Sequence, residues 1–277
     1  MILEVKNNSE APITLRFTSC QADVAELFCR TLAVYIGKKL DVPTEFIGEI
    51  PWQERQARFY AGEVDVCWMC SLPYVRTFTD DASIELLAAP VMRHPRYNRR
   101  PVYYSDIVVH TDSGFQSFDD LRGASWAYNE PESHSGYNLV RYHLALKGNV
   151  NGKDYFSSII ESGSHQDSIR MILNRSIDSS AIDSTVLEME LVRKPAIAEQ
   201  LRTIAVLGPS PAPPWIVHRS VPLPLRQALR REFLAMDKDP LGRRILENAG
   251  VLQFTRVLDL DYDPIREMDR LASTVDL

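Results

Sequence analysis

Glu132-Ser133-His134-Ser135-Gly136-Tyr137 gathers two hydroxyls, an imidazole and a glycine between a strand-like run, Ala124 to Tyr128, and a helix-like run, Tyr137 to Leu146. The first N–H groups of a helix have no partner inside it, and the helix dipole adds partial positive charge there. A polar turn at such a point can hold an anion. The hydroxyls of Ser133 and Ser135 add donors, and Gly136 lets the backbone approach closely. The chemistry on offer is reversible grip on a phosphate-like oxyanion. The plain alternative is a serine N-cap on an ordinary helix.

The elements that must position this turn follow a strand–helix rhythm. Ile13 to Cys20 alternates as a strand does, and Asp23 to Leu40 carries Phe28, Leu32, Tyr35 and Ile36 at helical spacing. Pro43 to Ile47, Val64 to Cys70 and Glu85 to Val91 are further strands, with helices over Pro51 to Tyr60 and Pro73 to Phe78. A basic linker, His94 to Pro101, opens a second series. Its strands are Tyr103 to His110, Ala124 to Tyr128, Phe156 to Glu161, Ser179 to Asp183 and Thr203 to Leu207. Its helices are Phe118 to Leu121, Tyr137 to Leu146, Ser164 to Leu173 and Thr185 to Val192. A proline-rich joint, Pro209 to Pro214, leads to a strand, Trp215 to His218, and helices over Leu225 to Met236 and Asp239 to Asn248. The tail to Leu277 holds one more short helix from about Pro264.

This alternation implies an α/β fold with mostly parallel pairing. Ligands in such sheets sit beyond the carboxyl ends of the strands, here Ser19 to Gln21, Gly48 to Trp52 and Cys70 to Tyr74. Two irregular joints imply a chain that builds most of one lobe, crosses to a second and returns. The cleft between lobes is then the ligand site, and the paired crossings form a hinge.

The bulk numbers agree with a soluble two-lobed protein. The 277 residues are 45% apolar and 25% charged. A net charge of −6 excludes a general nucleic-acid binder, which needs a basic face, yet leaves room for an anion pocket built from neutral donors. No run of about 20 apolar residues spans a membrane. Met1 to Pro12 is polar and lacks the apolar core of a secretory signal, so the expectation is either a removed signal or a cytoplasmic chain. Cys67-Trp-Met-Cys70 has C-x-x-C spacing, but it lies in an apolar strand where the two side chains face opposite sides. Structural thiols are expected there, with a Cys20–Cys70 contact where two strands end.

Six segments in order resemble the phosphate/phosphite/phosphonate-binding proteins of ABC importers, which are periplasmic-binding proteins of the second structural type. They are Gly62 to Trp68 with Leu72-Pro-Tyr74, Pro101 to Ser105, Ser133 to Tyr137, Ser162 to His165 with Ile169, Ala181-Ile-Asp183, and Asp261 to Arg266. The resemblance implies two mixed sheets flanked by helices, joined by a two-strand hinge. Residues 1–104 plus 213–277 would form lobe one and 105–212 lobe two. It assigns oxyanion contacts to Ser133, His134, Ser135 and Gly136, and to His165 at the next helix start. Asp183 would accept a P–OH hydrogen, Tyr103 would reach the ligand from the hinge, and Trp52 stands where a lobe-one tyrosine often closes the cleft; Tyr74 completes the set. Carboxylates that hold an amine in some relatives are missing at Thr185 and at Pro213 or Pro214, which argues against an amine-bearing ligand. Trp52, Trp68, Tyr103, Tyr104 and Trp215 are available to line a pocket, although Trp68 has the context of a core residue.

The expected function is therefore non-catalytic binding of a small oxyanion (phosphate, phosphite, or an alkyl or aryl phosphonate) as the solute-binding component of an ABC importer. No cofactor and no metal are expected. The expected partners are the ligand and an ABC permease, with no nucleic acid, and the protein acts as a monomer. Family resemblance places it in the periplasm or at the membrane. Two other classes stay open from sequence: an enzyme on the same fold, resembling thiamine-pyrimidine synthesis enzymes, and a cytoplasmic ligand sensor.

Overall fold

The computed structural model describes residues 13–77 and 83–277. The polar stretch Met1 to Pro12 and the end of the expected helix at Phe78 lie outside them. In chain order the elements are β1 (Leu15–Ser19), α1 (Glu26–Leu40), β2 (Thr44–Ile47), α2 (Trp52–Tyr60), β3 (Val66–Trp68), α3 (Ser71–Thr77), β4 (Ile84–Met92), β5 (Val102–His110) and β6 (Ser125–Tyr128). There follow α4 (Leu139–Leu146), α5 (Gly152–Tyr155), β7 (Ser158–Glu161), α6 (His165–Leu173), β8 (Ser179–Asp183), α7 (Ser184–Arg193), β9 (Leu201–Pro211) and β10 (Trp215–His218). The chain ends with α8 (Leu223–Ala235), α9 (Pro240–Asn248), β11 (Val251–Thr255) and α10 (Asp263–Ala272).

Two sheets form, ordered β11-β4-β10-β3-β1-β2 and β7-β6-β8-β5-β9. Both are mixed, so the expectation of mostly parallel pairing holds only around β1 and β6. β1 is parallel to β2 and β3, and β6 is parallel to β7 and β8. β10, β5 and β9 enter or leave a lobe across the hinge, and they pair antiparallel to their neighbours. Each sheet is packed on both faces. Trp215 stacks on Trp68 at 5.5 Å in the first lobe, and Trp126 stacks on Phe156 at 4.7 Å in the second. Both tryptophans of the first pair are core residues, as is Tyr103.

Three segments differ from expectation. β9 runs from Leu201 through Pro211 and absorbs half of the proline-rich joint. It is an edge strand, where a residue without an N–H is tolerated. Val251–Thr255 forms an edge strand beside β4, where sequence showed only a tail. The basic linker is not simply solvated: Arg96 makes two hydrogen bonds to the buried Asp106, at 2.9 and 2.7 Å, and lies over the Tyr104 ring.

The tail is not confined to lobe one. Tyr262 and Ile265 pack with Tyr74 and Leu72 in the first lobe. Met268, Val275 and Leu277 pack with the core of the second. Arg141 Nε donates to the Val275 carbonyl at 2.6 Å and the Gly152 N–H to that of Asp276 at 2.7 Å. Asp269 also pairs with Arg76 of the first lobe at 2.8 Å, so residues 268–277 bridge both bodies.

Breaking a buried ion pair leaves a charge in low dielectric and costs about 3–5 kcal/mol. Arg96→Met is expected to lower stability by about 3 kcal/mol in urea unfolding because Asp106 stays buried; a loss under 1 kcal/mol would show that water reaches that carboxylate.

Candidate functional site

Because β6, β7 and β8 run parallel, the helices that follow them start at one edge of the second sheet. Each start is capped by a side chain. Ser133 accepts from the Gly136 N–H at 3.0 Å, opening a π-helical turn, His134–Asn138, that feeds α4. Ser164 accepts from the Asp167 N–H at 3.0 Å and opens α6. Asp183 accepts from the Thr185 N–H at 2.8 Å and the Thr185 hydroxyl at 2.7 Å and opens α7. Three sets of unpaired N–H groups and positive dipole ends therefore converge on one place.

A cavity of about 160 Å³ lies there, between the lobes. Ser133, Ser135, His165, Asp183 and Glu130 line it from lobe two; Gln21, Trp52, Arg55, Cys20 and Cys70 line it from lobe one. Five of the nine residues expected from sequence thus meet at one cavity: Ser133, Ser135, His165, Asp183 and Trp52. All but Trp52 are buried. Ser135 Oγ is 3.2 Å from His165 Nε2, while His165 Nδ1 is buried without a partner among the described residues. Burial pushes the His165 pKa down to about 4, so the ring is neutral near pH 7. The neutral ring and the hydroxyl share one hydrogen between Nε2 and Oγ, so the pair keeps one donor for a ligand: Nδ1–H when Ser135 donates to Nε2, or the Ser135 hydroxyl when Nε2–H donates to it.

Four expected residues do not line the cavity. His134 is fully buried and faces the hinge, with Nε2 2.9 Å from Ser210 Oγ on β9 and Nδ1 3.3 Å from Asn138 Nδ2. Burial lowers its pKa to about 3, so it is a neutral tether of the turn. Gly136 is needed for packing, because a Cβ there would sit 1.9 Å from Asn129 Oδ1. The Tyr103 hydroxyl is 3.3 Å from Ser71 Oγ, inside the core. Tyr74 donates to Asp259 at 2.9 Å and packs edge-on against Tyr262, below the cleft. Of the five aromatics available for a pocket, only Trp52 lines this one.

The cysteine pairing also differs from expectation. Cys20 Sγ lies 3.7 Å from Cys67, not against Cys70, because Thr18 is in register with Cys67 and Cys20 is two residues on, on the same face. Burial pushes the Cys70 thiol up to about 12, which makes it a poor nucleophile.

Sequence reasoning missed Arg55, Glu130, Asn129 and Gln166, and reached Gln21 only as part of the Ser19 to Gln21 segment at the strand ends. Buried atoms without a partner among the described residues concentrate here: Arg55 Nε, Asn129 Oδ1, Glu130 Oε2, His165 Nδ1 and Gln166 Oε1. Buried polar atoms are normally paired with protein or water, so such a cluster marks a polar wall able to hydrogen-bond water or a polar ligand. Glu130 puts a carboxylate on the cavity wall, though not at residue 185, 213 or 214, where the expectation looked for one. Burial, with the charges of Glu132 and Glu161, raises its pKa to about 7; burial raises that of Asp183 to about 6. Three groups, Glu130, Asp183 and His165, thus hold protonation states set by the cavity rather than by bulk water.

The fold and this cleft define a class: two-lobed periplasmic-binding proteins of the second structural type, with a polar cavity at the lobe interface. The profile of the family described as ABC transporter, phosphonate, periplasmic substrate-binding protein matches residues 19–262, and the chain belongs to that family. It is 22% identical over 210 residues to the phosphonates-binding periplasmic protein of Escherichia coli, covering 74% of this chain and 60% of that one. The chain thus spans about three fifths of the length of that curated relative. It is similar in structure to a binding protein component of an ABC phosphonate transporter from Pseudomonas aeruginosa, with a TM-score of 0.83 and 17% identity over 95% of this chain and 87% of that chain. It is also similar to PhnD1 from Prochlorococcus marinus, solved in complex with methylphosphonate, with a TM-score of 0.82 and 19% identity over 95% of this chain and all of that one.

The raised pKa of Glu130 has a signed consequence for stability. The carboxyl carries no penalty below its unfolded value, where both states are protonated; stability is lost as pH rises through about 7, where the folded state must ionise a buried group. Glu130→Gln is expected to raise the melting temperature of the empty protein at pH 8 and to leave it unchanged at pH 4, by scanning calorimetry.

Proposed function

We propose that this chain captures a small tetrahedral oxyanion of the phosphonate class, without chemical change, and presents it to an ABC permease. Phosphate, phosphite and alkyl or aryl phosphonates share the needed geometry. The observation that carries this reading is the convergence of three capped helix starts, the Ser133 hydroxyl and the hydrogen-bonded Ser135–His165 pair on one interlobe cavity. Neutral donors bind the oxyanion first on lobe two. Asp183, whose second oxygen is free of the helix cap, accepts a P–OH hydrogen from the singly protonated ligand.

The moving bodies are lobe two, residues 105–212, and lobe one, formed by the rest of the chain up to the bridging tail. Trp52 and the Gln56–Glu132 contact, 3.5 Å across the cleft, meet the ligand side as the lobes close. Binding favours the closed form only through contacts that both lobes make at once. The protein works as a monomer in the periplasm, where a permease reads the closed shape. The family match, the structural relative named as a component of an ABC phosphonate transporter and the relative solved with methylphosphonate support this reading.

Isothermal titration calorimetry with methylphosphonate, phosphite and phosphate tests it. At least one is expected to bind saturably with one site per chain; no heat from any of them would sink the reading. Ser135→Ala is expected to weaken that binding by about tenfold to a hundredfold, the effect of one hydrogen bond to a charged group. Unchanged affinity would remove Ser135 from the site.

A further inference from the structure

Arg55 is the one arginine or lysine that is buried among the described residues, at 6% exposure. It stands one turn into α2, on the lobe-one wall of the cavity. Its guanidinium makes no ion pair and no hydrogen bond with any described group, and its Nε is sealed from solvent without a partner. Other sheltered arginines are neutralised. Arg96 holds Asp106, and Arg226 and Arg230 both hold Glu85. Asp23, Glu130 and Asp183 share the cavity with Arg55, yet none pairs with it. An uncompensated buried cation costs several kcal/mol, so a protein keeps one where something else neutralises it.

We propose that Arg55 is the counter-charge of the bound oxyanion, delivered from lobe one as the cleft closes. This assignment rests on the oxyanion reading and deepens it: the preferred ligand is an anion with two oxygens open to a guanidinium fork. Lobe two supplies neutral donors, which tolerate any tetrahedral anion. The planar guanidinium adds two parallel charge-assisted bonds, and an ammonium cannot copy that geometry. Because Arg55 and the serines stand on different lobes, its contribution appears only in the closed state, which makes it a determinant of closure as well as of affinity.

The test combines binding with the stability of the empty protein, because a structural role and a ligand role predict opposite signs. Methylphosphonate is titrated into the wild type, Arg55→Met and Arg55→Lys at pH 8, in low and high salt. Arg55→Met is expected to lower affinity at least thirtyfold and to flatten its salt dependence, with Arg55→Lys intermediate. The empty Arg55→Met protein is expected to melt at the same or a higher temperature, since an unpaired buried charge has gone. Equal affinity of wild type and Arg55→Met overturns the assignment, as does an affinity loss matched by a fall in the melting temperature of the empty variant. Silence of the wild type toward methylphosphonate, phosphite and phosphate would sink the oxyanion reading and this assignment together; binding that survives in Arg55→Met sinks the assignment alone.

Discussion

Parallel pairing of β6 with β7 and β8 is the constraint on which the rest of the molecule depends. Parallel strands end at the same edge, so the helices that follow must begin there. Each start carries orphan N–H groups that need partners. Ser133, Ser164 and Asp183 satisfy some of them and leave the remainder aimed at the cleft. An antiparallel hairpin in place of any of these units would send one start to the far edge and dissolve the convergence.

A second constraint is electrostatic. The chain carries a net charge of −6, and three carboxylates share the cavity wall. An anion enters such a place only if the local field differs from the global one. Helix termini and one buried guanidinium supply the positive potential, while burial moves Glu130 and Asp183 toward their neutral forms. The same burial keeps His165 neutral, so its contribution is directional rather than ionic.

Much of the fold was legible in sequence because its signals are local. The serine-rich turn, its partner at Ser164-His165 and the cap at Asp183 each combine a strand-like run, small polar residues and a helix-like run, and each lies where that grammar puts it. Two edge segments were less legible: β11 shows no strict alternation, and prolines disguise the end of β9, whereas the edge strands β2 and β7 were read. Side-chain direction was not legible at all. His134 and Ser135 are neighbours, yet one faces Ser210 in the hinge and the other the cavity, a choice made by the π-helical turn. Arg55 was hidden for a similar reason. Within Trp52-Gln-Glu-Arg55 it has the composition of a solvated helix, and only the fit of α2 over the ends of β1 and β3 buries it.

The last ten residues give the hinge a mechanical limit. Two adjacent connections fix an axis and leave one rotation almost free. The contacts from Met268 to Leu277 add a third attachment away from that axis, anchored by Arg141 and Gly152 on one body and by the Arg76–Asp269 pair on the other. A strap so placed sets a largest aperture. It shortens the search between open and closed shapes, because wide excursions would have to peel an apolar surface from a packed core. In the proposed closure this segment is an end stop, and the travel of the jaws is set by how far it can give before its anchors part.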